Sequence, residues 1–512
     1  MFGHAAAVND KPPLAELVEG FLARLHAAGR AQDPQLIETH ISLVLLAGEF
    51  AYKFKKPVDF AFIDFSTLAR RQYFCAREVA LNRRFAPHIY LDVENVEVAG
   101  SRECAVRMRR FPLDASLDAL LIRAAVDTDA LCAFARHLAR LHACAPPAEA
   151  TAPFGRAALV RAQIDACLEA PLAPLLPPQL HTLLSQGLDE AMPRFAARHA
   201  AGFVRDCHGD LHSANVVAYE GELQAFDCIE FNDELRIIDT LSDAAFLLMD
   251  LDQHDAPTLG HVFLNSYLET RDDYQGLALL PMYCAYRALV RAKVALLRAA
   301  QHSASALAER ARASRHIALA ERYLQPTGRP GLVLTHGLSG SGKSHHARWL
   351  AAQTGFIHLR SDIERRRLAG LALDARSESA TDSGIYTAQM TRATYTRLQS
   401  LSQAALAAGY SVVVDASFLD AAERAPFAAL ARNLGLGFHI LDCDASVDEL
   451  RRRIVARASR GDDASEATLE VLEQQRRQAV PLTAGEREVT ISADSLAGDA
   501  ASLATLGRAR AH

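Results

Sequence analysis

At 512 residues, half of them hydrophobic and 23% charged, the chain is too long for one ordinary core and too apolar to be disordered, so two to four globular domains are expected. A net charge of −6 gives no global attraction for nucleic acid or an acidic membrane, and no apolar run approaches the ~20 residues that span a bilayer. The nine cysteines include no C-x-x-C pair, and the N-terminus Met1-Phe2-Gly3-His4-Ala5 lacks the basic and apolar regions of a secretory signal, which together predict a reducing cytoplasm.

In chain order, Leu14, Leu17, Val18, Phe21, Leu22 and Leu25 have helical spacing and predict an amphipathic helix over 14–30. Residues 41–46 and 50–55 then read as a hairpin about Gly48. Lys53 and Lys55 alternate with Tyr52 and Phe54, so the two lysines share one strand face. A helical stretch from Leu68 to Phe85 carries Glu78 in its middle, and strands are expected near 93–98 and 104–108. From 115 to about 200 the chain is Ala/Leu-rich and helical, with Pro-rich loops. A hairpin follows, then more helices to about residue 324. Gln325-Pro326-Thr327-Gly328-Arg329-Pro330 is a linker by composition. Beyond it, apolar runs at 331–335, 356–359, 411–414, 438–441 and 488–491 alternate with helical stretches, which predicts a parallel sheet in an α/β layer fold. The expected domains are an N-terminal helical extension at 1–34, a first domain at 35–324, the linker at 325–330 and a second domain at 331–512.

Two motifs carry chemistry. The first is His208-Gly209-Asp210-Leu211-His212-Ser213-Ala214-Asn215, with Asp227 twelve residues on, spaced as H-x-D-x-x-x-x-N with a downstream carboxylate. Phosphoryl transfer needs a carboxylate to orient the attacking hydroxyl, and an amide with a second carboxylate to hold Mg²⁺ against the phosphates. A hairpin of 216–219 and 223–226 about Glu220-Gly221-Glu222 would pair Val216 with Phe226 and set Asn215 opposite Asp227. The order Lys53 or Lys55, Glu78, Asp210, Asn215, Asp227 is that of a kinase. The lysine reaches the phosphates and the helix Glu holds it. As alternatives, either lysine could be an edge-strand guard, and Glu78 a solvated helix residue.

The second motif, Gly337-Leu338-Ser339-Gly340-Ser341-Gly342-Lys343-Ser344, satisfies G-x-x-x-x-G-K-[ST] between a strand and a helix. Gly337, Ser339, Gly340, Ser341 and Gly342 would turn backbone N–H groups toward phosphate, Lys343 would reach it, and Ser344 would ligate Mg²⁺. Asp415, ending the strand Val412-Val413-Val414, is the candidate partner for that metal, or an ordinary turn former. Asp362 is the candidate acceptor-orienting base, although Ser361-Asp362-Ile363-Glu364 also has capping-box spacing. Arg453 and Arg457 share a helical face, either as a phosphate-neutralising lid or as a solvated basic surface.

On these residues, 35–324 resembles the aminoglycoside phosphotransferase family, which has a protein-kinase-like fold. The resemblance implies Asp210 as base, Asn215 and Asp227 as Mg²⁺ ligands, His208 as a structural member of the loop, and Arg107–Phe111 near the hinge where adenine binds. Asp243 would anchor the loop from the helix beneath. No Gly-rich loop joins the first strands and the metal segment reads Asp227-Cys228-Ile229, which turns the expectation from protein substrates to small alcohols. Residues 331–480 resemble P-loop kinases of the polynucleotide kinase, chloramphenicol phosphotransferase and zeta-toxin type. In its combination of domains, the chain looks like bacterial bifunctional proteins that join the two.

The expectation is an α+β kinase-like bilobal domain followed by an α/β P-loop domain with a mostly parallel sheet. It would be an ATP- and Mg²⁺-dependent phosphotransferase acting on small-molecule hydroxyls at two sites, with no membrane partner. One domain could instead be a nucleotide-gated regulatory module. Phosphorylation of nucleic-acid ends is disfavoured, because no aromatic-interleaved basic groove is present.

Overall fold

The computed structural model describes residues 14–60, 63–149, 151–301, 303–325, 328–373, 384–460 and 468–496. Residues 1–13 of the expected extension, Pro326 and Thr327 of the expected linker, and 497–512 lie outside the described residues. The described chain forms two units. Residues up to Val126, with 144–156 and 199–243, make the first, and the remainder make the second.

The first unit starts with the helix Leu14–Ala27. Its buried Leu17, Val18, Phe21 and Leu25 pack on Tyr52 and Phe54, and the Phe21 ring meets Tyr52 edge-on at 5.0 Å. An antiparallel sheet of five strands runs in the spatial order Gln35–Glu38, Ser42–Ala47, Phe50–Lys55, Ser101–Arg109, Tyr90–Val98. The lysine-bearing strand is thus the middle of five, so neither Lys53 nor Lys55 guards an edge. Strand alternation sends Tyr52 and Phe54 to one face and both lysines to the other, where the helix Leu68–Asn82 packs. Only Thr39, His40 and Ile41 join the first two strands, a connection without glycine.

The hairpin after the H-x-D loop differs from its expected register. Val216 pairs with Ala225, not Phe226, and Glu222 belongs to the strand opposite Tyr219. Glu220 and Gly221 both take positive φ, 52° and 86°, and so close a two-residue turn of the kind that matches strand twist. As a result Asn215 lies opposite Phe226, whose N–H donates to the Asn215 carbonyl at 2.9 Å. Asp227 falls one residue beyond, where its φ of 61° bends the chain out of the ladder.

The second unit holds the helices Thr128–Cys144, Ala157–Cys167, Pro178–Ala200, Pro257–Arg271, Leu280–Gln301 and Ala306–Leu324, then the α/β layer. On Leu280–Gln301, Tyr286 and Arg287 are buried, with the Arg287 guanidinium 4.9 Å over the Phe246 ring. The five apolar runs of the C-terminal half form one parallel sheet, ordered Ile357–Arg360, Val412–Asp415, Gly331–His336, Gly437–Asp442, Thr490–Ser492. Its central strand is entirely paired and nearly all buried, as a strand rich in Leu and Val should be. No helix among the described residues is long and apolar enough to cross a membrane.

Candidate functional site

The first site is built around one carboxylate. Glu78 gives one oxygen to Lys53 at 2.9 Å and the other to Lys55 at 2.6 Å. Lys53 continues to Asp227, and Lys55 to Glu230, three residues further along the same segment. Burial opposes charge on both lysines, yet Asp227 and Glu78 raise Lys53 well above the ordinary ammonium value, and Glu230 and Glu78 raise Lys55. Burial alone would raise the Glu78 carboxyl, but the two ammonium groups prevail and hold it down to about 2.

Further bonds fix the segment that carries Asp227. The backbone N–H of Asp227 donates to the Tyr90 hydroxyl at 3.0 Å, and that of Cys228 to the Asn82 side-chain oxygen at 2.8 Å. Asn82 lies one turn beyond Glu78 and also donates to its carbonyl, so the same helix end positions both the lysine partner and the Asp227 segment. Phe226 stacks edge-on with Phe111 at 5.1 Å, which ties the expected hinge to the same place.

The loop from His208 to Asn215 is held from below and from within. Asp243 accepts from the N–H of His208 at 3.0 Å and of Gly209 at 2.8 Å, the anchoring expected of it. Gly209 has a φ of 87°, and a Cβ there would meet the Leu235 carbonyl at 2.7 Å, so only glycine fits. The buried His208 ring puts Nε2 2.9 Å from the Phe226 carbonyl and Nδ1 3.4 Å from the Asp210 N–H, an arrangement that suits one neutral tautomer. Burial lowers its pKa against the pull of Asp243 and Asp210. The Asn215 amide donates to both the carbonyl and the carboxylate of Asp210, at 3.0 and 3.1 Å. His212 Nε2 lies 3.4 Å from the same carboxylate, which stays about two-fifths exposed at 38%. Asp210 is therefore held within its own loop while part of its carboxylate stays exposed.

At the second site, Gly337, Gly340 and Gly342 have φ of 141°, 86° and 96°. A Cβ on Gly337 would meet the Cys443 carbonyl at 2.3 Å and one on Gly340 the Leu450 carbonyl at 2.9 Å, so the loop is a cradle that only glycine can build. The buried Ser341 hydroxyl has no hydrogen-bond partner among the described residues. Lys343 donates to the Leu338 carbonyl at 2.7 Å, and the Ser339 N–H to the Gln475 side chain at 2.8 Å. Asp415 lies on the strand beside the P-loop strand. Burial alone would raise its carboxyl, but His358, Arg360 and the Ser344 hydroxyl bring it down to about 2.

Asp362 is half-buried in the first turn of the helix Ser361–Leu368, just past the strand paired with that of Asp415. The capping-box alternative does not hold. Arg360 is the N-cap, and Glu364 is buried against Arg367 and Arg397. Arg453 reaches the P-loop, with Nη1 3.4 Å from the Gly340 carbonyl, while the Arg457 side chain lies outside the described residues. Glu230, Tyr90, Asn82, His358, Arg360 and Gln475 were not singled out from sequence. A second lysine two residues from the first needs a second counter-charge, and that was the available signal for Glu230.

Residues 67–280 match the phosphotransferase enzyme family and residues 332–482 match an AAA domain. Fold and family together define a phosphotransferase of the kinase class joined to a P-loop kinase-like domain. The chain belongs to the same family as an uncharacterized protein of Mycobacterium tuberculosis, to which it is 33% identical over 438 residues, 84% of this chain and 87% of that one. An uncharacterized protein of Mycobacterium bovis matches to the same extent, again 33% identical over 438 residues. Among solved structures, a choline/ethanolamine kinase family protein from Mesorhizobium loti is similar at 17% identity and a TM-score of 0.37, over 60% of this chain and 99% of that one. The Mycobacterium tuberculosis APS kinase is similar at 23% identity and a TM-score of 0.25, over 35% of this chain and 99% of that one.

Proposed function

We propose that the chain carries two nucleotide sites, each moving the γ-phosphoryl group of ATP to a hydroxyl of a small molecule with Mg²⁺ bound. The domain limits that go with this reading are 35–324 and 331–512, preceded by the extension at 1–34 and joined by 325–330. Mg²⁺ would draw negative charge from the phosphate oxygens at each site. The donor sets suit such a hard cation, being oxygen throughout: Asn215 and Asp227 in the first, Ser344 and Asp415 in the second.

In the first site Lys53 binds phosphate and Glu78 keeps its ammonium in place, while Lys55 serves by holding Glu78 and Glu230 in position. Asp210 takes the acceptor's proton as the acceptor oxygen bonds to phosphorus and the bond to the β-phosphate oxygen breaks, releasing ADP. In the second, the P-loop amides, the Ser341 hydroxyl and Lys343 bind phosphate, Arg453 and Arg457 neutralise it, and Asp362 orients the acceptor. The observation that carries the reading is Lys53, which binds Glu78 and Asp227 at once and so joins the phosphate-binding and metal-binding parts of one site. The cysteine pattern supports a reducing, cytoplasmic setting.

A second reading makes the P-loop domain a nucleotide-gated regulatory module. It is favoured by the Ser339 N–H and the Lys343 ammonium, both of which are engaged by the protein itself. Screening the full chain for ADP release against a library of hydroxyl metabolites separates the two. Turnover that survives Asp210→Asn and depends on Lys343 supports two catalytic sites. Loss of all turnover in Asp210→Asn supports the module.

A further inference from the structure

One face of the helix Pro257–Arg271, inside the stretch that matches the phosphotransferase enzyme family, is built against the P-loop layer. His261, Asn265 and Glu269 recur every four residues, and Asp272 follows at the C-cap, so the four make a stripe. Each meets a different part of the layer. The His261 Nδ1 lies 2.8 Å from the Ala352 carbonyl. Asn265 donates to the Phe356 carbonyl at 3.0 Å and accepts from the His358 N–H at 2.7 Å. It thereby stands in for a neighbouring strand at the open side of Ile357–Arg360, the outermost strand of the sheet. Glu269 accepts from Arg360 at 3.4 Å, and Asp272 takes two bonds of 2.6 Å from Arg397.

Two of the residues so held face Asp415. The His358 Nε2 is 3.3 Å, and the Arg360 Nε 4.0 Å, from one and the same carboxylate oxygen. Arg360 therefore lies between two acids, Glu269 and Asp415, and all three side chains are largely shielded from water. The share of the guanidinium that Glu269 holds is withheld from Asp415. Freed from Glu269, Arg360 would close on Asp415 and neutralise the charge a divalent cation needs.

We propose that Glu269 is a positioning residue for the P-loop site: by retaining Arg360 it keeps the Asp415 carboxylate available to Mg²⁺. A side chain from the phosphotransferase part of the chain thus completes the outer shell of the P-loop metal site. The inference rests on Ser344 and Asp415 being that site's Mg²⁺ pair.

The test uses the full chain carrying Asp227→Ala, which silences metal binding at the first site, and follows a fluorescent ATP analogue as Mg²⁺ is raised. Glu269→Gln is expected to raise the half-saturating Mg²⁺ concentration about tenfold, the low end for losing an outer-shell partner, with Mg²⁺-free nucleotide affinity unchanged. Adding Arg360→Gln is expected to bring the midpoint back toward that of the parent, because the competing guanidinium is gone. Glu269→Asp, which keeps the charge, is expected to recover most of the affinity. An unchanged midpoint in Glu269→Gln, an equal loss of Mg²⁺-free affinity, or a double variant no better than the single overturns the proposal. Lys343→Ala in the same background should abolish the Mg²⁺-dependent part of nucleotide binding. If that part persists there, it is the assignment of the P-loop as a nucleotide site that fails, whatever Glu269 does.

Discussion

Lys55 binds the carboxylate oxygen of Glu78 that Lys53 leaves to it, at 2.6 Å, in a place where water reaches neither group. Two lysines on one strand face thus divide the work. Lys53 is the one that faces Asp227, and Lys55 is enclosed between Glu78 and Glu230.

That division has separable consequences. Lys55→Met would leave Glu78 short of a partner and Glu230 buried without one, a change that costs about 3–5 kcal/mol. Lys53→Met would remove the proposed phosphate contact and leave the Lys55 pairs intact. Chemical denaturation and first-site turnover should therefore sort the variants. Lys55→Met loses mainly stability and Lys53→Met mainly rate. Equal stability losses would contradict the assignment.

Asp243 satisfies the backbone N–H groups of His208 and Gly209, in the loop that carries Asp210. In Asp243→Ala each becomes an orphan worth about 1–3 kcal/mol, and the Asp210 carboxylate loses its fixed place. First-site kcat is expected to fall at least about tenfold, with the P-loop site's turnover unchanged. Steady-state kinetics with each site silenced in turn measures both.

Acid stability gives a test away from either site. The bidentate Arg424 contact, with bonds of 2.6 and 3.1 Å, holds the Glu486 carboxyl down to about 2. A carboxyl lowered on folding stabilises the fold above its unfolded pKa, ordinarily about 4.3. That stabilisation is lost as pH falls from there toward 2. Thermal midpoints of Glu486→Gln should sit below those of the parent at neutral pH and converge with them across that window. A constant gap down to pH 2 would contradict the linkage.

Much of this architecture is legible in the residues themselves. G-x-x-x-x-G-K-S between an apolar strand and a helix requires its fold, because only glycine can occupy the positive-φ positions of Gly337, Gly340 and Gly342. The five apolar runs of the second half are too short and too continuous to be anything but buried parallel strands. The spacing of Asp210 and Asn215 is local, within one loop, and was equally readable. What escaped depends on partners far apart in the chain. That the Lys53 strand is central comes from its pairing with residues 105–109, and that Lys55 meets Glu230 comes from a fold that closes 175 positions. The hairpin register turned on whether Glu220 adopts a left-handed conformation, which a non-glycine residue seldom does, so the longer turn was the natural expectation.

The most direct measurement of the central claim is total ADP release by the full chain and by its Asp210→Asn and Lys343→Ala variants, each assayed with the hydroxyl acceptors found active on the parent. Two sites predict that each substitution removes a different part of the turnover and that the double variant removes all of it. Loss of all turnover from either single substitution would contradict two independent centres.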